Sequence, residues 1–167
     1  MDFGSALTKI GFATECRPRY IIPSTQLRQR KRISKGLSTT ITEKEWIDVL
    51  DTFLNKVFFH YLCVSPKDRR VIVCDPVQAA APFRQALAYV LFKRFSAPAF
   101  AFVSSCVVPL YLTGLNAGIV IDVGYDCARV LATIAGIPVY SCYSTAQCGG
   151  RHLNYLMMKE MHEMQTD

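Results

Sequence analysis

The chain has 167 residues, 51% of them hydrophobic and 19% charged, a balance that supports a sizeable core and excludes an intrinsically disordered segment. Its seven cysteines, Cys16, Cys63, Cys74, Cys106, Cys127, Cys142 and Cys148, are odd in number, have no C-x-x-C spacing and follow no secretory signal, which points to reduced thiols in a cytosolic protein and away from a disulfide framework or a zinc site. Much of the net charge of +6 comes from Arg28, Arg30, Lys31, Arg32 and Lys35; no aromatic residues interleave with them, so a polar loop or an acidic protein partner fits them better than nucleic acid.

An acidic-glycine turn opens the chain at Asp2-Phe3-Gly4-Ser5, and a second lies at Ile121-Asp122-Val123-Gly124. Each sets a carboxylate beside an apolar strand and a glycine in the turn, where backbone N–H groups can approach a phosphate with no Cβ in the way. Two copies predict two lobes. Residues 7–15 and 19–23 read as short strands, the second ended by Pro23 and Ser24. After the basic stretch, Thr42-Glu43-Lys44-Glu45 has capping-box spacing, and Trp46, Leu50, Phe53, Leu54, Val57, Phe58 and Tyr61 follow at helical intervals. Val71-Ile72-Val73-Cys74 reads as a buried strand. Pro82 opens a helix with an apolar face of Phe83, Ala86, Leu87, Val90, Leu91 and Phe95. No charged residue stands between Arg94 and Asp122, a run long enough to raise a membrane span, but Pro98, Pro109, Gly114 and Gly118 interrupt it; a buried strand, short helix and strand account for it. Residues 118–123, 127–134 and 137–143 read as a three-strand meander with Gly124 and Gly136 in its turns, before a helix that begins near Gly149 or Gly150.

The paired turns resemble the two phosphate loops of the actin family, and further segments resemble that family in the same order. Among them are Pro66 to Val73, Leu91 to Ala99, a hinge-like helix at Leu110-Tyr111-Leu112-Thr113-Gly114, and a second-lobe helix start at Gly150-Arg151-His152-Leu153-Asn154. The resemblance implies an α/β, actin-like ATPase (ribonuclease-H-like) fold: a first lobe over 1–113, lacking its first central strand and carrying a reduced basic-loop subdomain at about 24–62, and the start of a second lobe over 114–167. A vacant central position would leave neighbouring strands unpaired, which predicts marginal stability. The chain is about half of what the two-lobed fold needs and is expected to be a fragment or a short isoform.

The same resemblance implies a degenerate nucleotide site. Asp2 and Asp122 match the loop aspartates, Gly4, Ser5 and Ala6 the first phosphate cradle, Lys9 the phosphate-facing lysine, and Gly124 the second cradle. Tyr125 stands where the family usually has another aspartate, Asp126 where it has glycine, Val123 in place of a small hydroxyl residue, and Ser105 in place of the glutamine that positions the hydrolytic water. A side chain at a glycine position restricts positive φ, and bulk narrows the cradle. The expectation is no enzyme, no catalytic residue, no metal and no cofactor for this chain, with ATP a ligand of full-length relatives.

Within the family, Tyr20-Ile21-Ile22-Pro23-Ser24, Arg69-Arg70 and Gly136-Ile137-Pro138-Val139 resemble the members at the pointed end of dynactin. This implies a cytoplasmic, cytoskeletal structural subunit with dynactin filament and pointed-end subunits as partners, acting in dynein-driven transport on microtubules. Arg28, Arg30, Lys31 and Arg32 are candidates for an acidic partner. The alternatives are a conventional or nuclear actin-related protein, or an ATPase of the actin and sugar-kinase superfamily.

Overall fold

The computed structural model describes residues 1–25, 42–75 and 80–166. The basic stretch, with its acidic partner and its part of the 24–62 subdomain, lies outside them. The chain divides into two compact units, Met1–Val103 and Ser104–Asp167. The short helix at Val108–Leu112, which the sequence reading assigned to the first lobe, falls in the second unit, where the Leu110 side chain packs beside Gly118.

The first unit is a five-stranded sheet in the order β3-β2-β1-β4-β5. Its strands are β1 (Asp2–Phe3), β2 (Leu7–Ile10), β3 (Tyr20–Pro23), β4 (Val71–Asp75) and β5 (Phe100–Ser104). β1 runs antiparallel to β2 and parallel to β4, as β2 does antiparallel to β3. The vacancy expected at the centre of this sheet is filled by residues 1–3. The Met1 amine donates to the Ile72 carbonyl at 2.7 Å and the Cys74 N–H donates to the Met1 carbonyl at 2.7 Å. A few residues are enough because each extended residue aims its one donor and one acceptor at one neighbour and the next residue aims its own at the other, so Met1 serves β4 with both groups.

Two helices cover one face of this sheet. Helix α1 (Glu43–Asn55) starts at the expected capping box: the Thr42 Oγ1 accepts from the Glu45 N–H while the Glu45 carboxylate accepts from the Thr42 N–H at 2.8 Å. It continues through a widened turn over Lys56–Tyr61, and helix α2 (Ala81–Tyr89) continues likewise over Val90–Arg94. Each continuation is followed, two residues past its end, by a non-glycine residue at positive φ, Cys63 (52°) and Ser96 (52°). The core is one cluster in which Leu50, Phe53, Leu54, Val57 and Phe58 of the first helix meet Ala86, Leu87, Val90 and Leu91 of the second, with Ile10, Ile22, Val71 and Val73 from the sheet. The buried β2 and β4 residues alternate, as a strand with one covered face requires.

In the second unit, helix α3 (Val108–Leu112) leads into β6 (Gly118–Val123), which pairs antiparallel along its whole length with residues 128–133 of β7 (Ala128–Ile134). The third strand expected over 137–143 is broken. Ile137–Pro138 (β8) pairs with the end of β7, a tight turn occupies Tyr140–Cys142, and pairing with the start of β7 resumes in β9 (Ser144–Ala146). Pro138 sits at a position that donates nothing to β7, and the Val139 N–H still donates to the Ala132 carbonyl at 2.9 Å before the chain turns away. Helix α4 (Gly150–Thr166) follows. Among the described residues, no helix is long and apolar enough to cross a membrane; the uncharged run after Arg94 is β5, α3 and β6. None of the seven cysteines is in a disulfide.

Candidate functional site

The first acidic turn is built on a hairpin between β1 and β2. The register sets Asp2 directly opposite Lys9, so both side chains leave the same face, and the Lys9 Nζ stands 3.4 Å from the Asp2 Oδ2. Gly4, Ser5 and Ala6 make the connection. A Cβ on Gly4 would stand 2.5 Å from the Leu7 carbonyl oxygen, so only glycine fits the turn at that point. Buried Ser24 straps it from beneath: its Oγ donates to the Gly4 carbonyl at 2.6 Å, and its N–H donates to the Ala6 carbonyl at 2.8 Å. The Thr8 hydroxyl, also buried, lies 2.9 Å from the same Oγ. All described peptide bonds are trans, so a carbonyl drawn toward Ser24 sends the following N–H the opposite way. The Ser5 N–H thereby faces away from the strap, on a turn that also carries the Lys9 ammonium. Chemically, this arrangement offers one backbone donor and one cation to an anionic oxygen.

The second turn repeats the spacing with different surroundings. Asp122 and Arg129 are opposite each other in the β6–β7 register and seven positions apart, as Asp2 and Lys9 are. The Arg129 Nη1 is 3.4 Å from the Asp122 Oδ2. The Gly124 N–H donates to the Cys127 carbonyl at 3.0 Å and its carbonyl accepts from the Gly150 N–H at 3.1 Å, so both backbone groups of this glycine are engaged within the chain. The start of α4 is fastened to the same turn. The Arg151 N–H donates to the Tyr125 carbonyl at 2.8 Å, its Nη2 pairs with the Asp126 Oδ1 at 2.7 Å, and its guanidinium lies 5.3 Å from the centre of the Tyr125 ring. Gly149 is needed for that approach, because a Cβ there would collide with the Tyr125 carbonyl oxygen.

The hydroxyls of Ser104 and Thr133 are buried in the second unit without a hydrogen-bond partner, whereas the Ser105 side chain meets the Cys106 thiol and the Tyr143 hydroxyl meets the Arg129 side chain. Burial pushes the Tyr143 hydroxyl above its ordinary range while the Arg129 charge draws it down. It pushes up the nearby Cys106 thiol as well. The structure therefore brings Asp2, Gly4, Ser5, Ala6 and Lys9 together in one turn, and Asp122 and Gly124 together in the other. Ser24, Arg129 and Arg151 complete these turns and are not among the site residues expected from sequence, where Ser24 figures as a strand end and Arg151 in a helix start. For Arg129 the signal was present: a basic residue seven positions after the acid repeats the Asp2–Lys9 interval. Ser24 and Arg151 act through contacts far along the chain, and no spacing announces them.

Comparison with known proteins bears on both units. A family model described as Actin matches residues 38–167. A protein named actin-related protein 10, from Dictyostelium discoideum, is 24% identical over 178 residues, covering 92% of this chain and 37% of its own length. The chain thus spans little more than a third of that relative.

Proposed function

Because this chain belongs to the actin family and has its α/β fold, we propose that it serves as a non-catalytic actin-related structural subunit of dynactin. In this reading it caps the pointed end of the short filament and supports dynein-driven movement. The observation that carries the non-catalytic part is the second turn. Phosphoryl transfer needs donors and charge aimed at the phosphates and a group that orients the attacking water. Here the Gly124 N–H is bonded to Cys127, Asp122 is paired with Arg129, and a serine stands at position 105. The first turn, with the Ser5 N–H and Lys9, supports at most weak nucleotide contact, since a phosphate cradle alone buries little of a cofactor.

The dynactin assignment draws on the resemblance of residues 20–24, 69–70 and 136–139 to the pointed-end members, and on the similarity to actin-related protein 10. It is tested by a tagged pull-down of this chain from native extract, with co-purifying proteins identified by mass spectrometry. Dynactin filament and pointed-end subunits at stoichiometric levels are expected. Chaperones alone would overturn the assignment and leave only ancestry.

A further inference from the structure

The two acidic turns share a construction and differ in how their charges are met. The first has one acid and one base, Asp2 and Lys9, both substantially exposed. The second carries two acids, Asp122 and Asp126, and each has its own guanidinium: Arg129 from β7 and Arg151 from α4. Arg129 is the less exposed of the first pair, with 23% of its side chain accessible. Its Nη1 lies 3.6 Å from the point where a Cβ would stand on Gly124. The space that the glycine leaves open, through which a phosphate could reach the turn, therefore has a guanidinium at its edge.

The residues present do not fit a phosphate-bound divalent cation at this turn. Such a cation takes oxygen ligands and needs carboxylates whose charge is not already compensated. Asp122 and Asp126 are both compensated from within the chain, and Arg151 adds a backbone hydrogen bond and a ring contact to its ion pair. We propose that Arg129 and Arg151 take the electrostatic place of a phosphate-bound divalent cation at the second turn, so that the turn keeps its shape without nucleotide or metal. The idea rests on the actin-family fold and not on dynactin membership. A chain could fail the pull-down and still behave this way.

The test compares the full 167-residue chain with an Arg129→Met/Arg151→Met variant, in which the substituents keep bulk and lose charge. Thermal unfolding and the rate of chymotrypsin cleavage after Tyr125 are followed in EDTA and in millimolar Mg-ATP. For the wild type, the midpoint should move by less than about 1 °C between the two conditions, as expected without ligand linkage, and cleavage should be equally slow in both. For the variant in EDTA, the midpoint should fall by about 2–4 °C and cleavage should quicken several-fold. A wild-type midpoint that rises by several degrees with Mg-ATP would overturn the proposal. So would a variant cleaved at the wild-type rate with an unchanged midpoint. If the variant does not fold, the wild-type comparison still decides.

Discussion

Asp75 closes β4 almost completely buried, 5% exposed, with the Arg84 Nη2 and Nε each 2.6 Å from its Oδ2. Two effects oppose each other there. Burial disfavours the carboxylate and raises its pKa above the ordinary 3.8, the arginine lowers it, and burial is the larger. The folded state therefore holds the Asp75 proton more tightly than the unfolded chain does. The stability this residue contributes is fully present below 3.8 and is lost as pH rises through the raised folded value. Denaturant unfolding from pH 3.5 to 6 should show the stability of the wild type relative to Asp75→Asn falling as pH rises. A relative stability that instead rises with pH would mean that the Arg84 charge outweighs burial. Partnerships at this scale were only partly legible in the sequence. Lys9 and Arg129 stand at a fixed interval from their acids because both pairs bridge a hairpin, whereas Asp75 and Arg84 meet only when α2 packs against the sheet.

At the level of elements, legibility followed the locality of the cause. Helix α1 was readable because its capping box and its apolar period are both written within a few residues. Its widened end was not, since Cys63 is not the glycine that usually takes positive φ after a helix. The broken third strand was missed because the break depends on which β7 groups Pro138 and Ser144 reach. The β7–β8 hairpin shows a mismatch between sequence and geometry. Ile134 pairs with Ile137 across a two-residue loop, and both loop residues have positive φ, Ala135 at 51° and Gly136 at 78°. That is the geometry of a type I′ turn, which favours Asn-Gly. An alanine in the left-handed region meets its own backbone, a cost that asparagine reduces by local hydrogen bonding. Ala135→Asn should therefore stabilise the protein by roughly 0.5–1 kcal/mol, read as a higher urea midpoint with an unchanged slope. A lower midpoint would show that the loop does not demand this backbone geometry.

Over the whole molecule, apolar sequence and apolar burial part company. The large core cluster, from Ile10 to Ala97, belongs to the first unit, as Met1–Val103 contains all of it. The second unit buries Cys106, Val107, Leu110, Val120, Ala128 and Leu131. On the outer side of β6, Ile119, Ile121 and Val123 remain 71%, 67% and 68% exposed, and on α4 Leu153, Tyr155, Leu156, Met157, Met158 and Met161 are exposed too. The apolarity of the uncharged run between Arg94 and Asp122 predicts a buried strand, helix and strand, and Ile119 and Ile121 of that run depart from it. Burial requires a second layer, and among the described residues nothing covers that face. Hydrophobic burial is the largest favourable term in folding, so the unequal cores predict unequal local stability. Under native conditions, hydrogen exchange of the paired β6 and β7 amides should proceed at least about tenfold faster than that of β4 and the buried turns of α2, since about 1.4 kcal/mol less opening energy gives that factor. Equal protection across both units would mean that they open as one cooperative body, and the exposed β6 face would then carry no penalty for local stability.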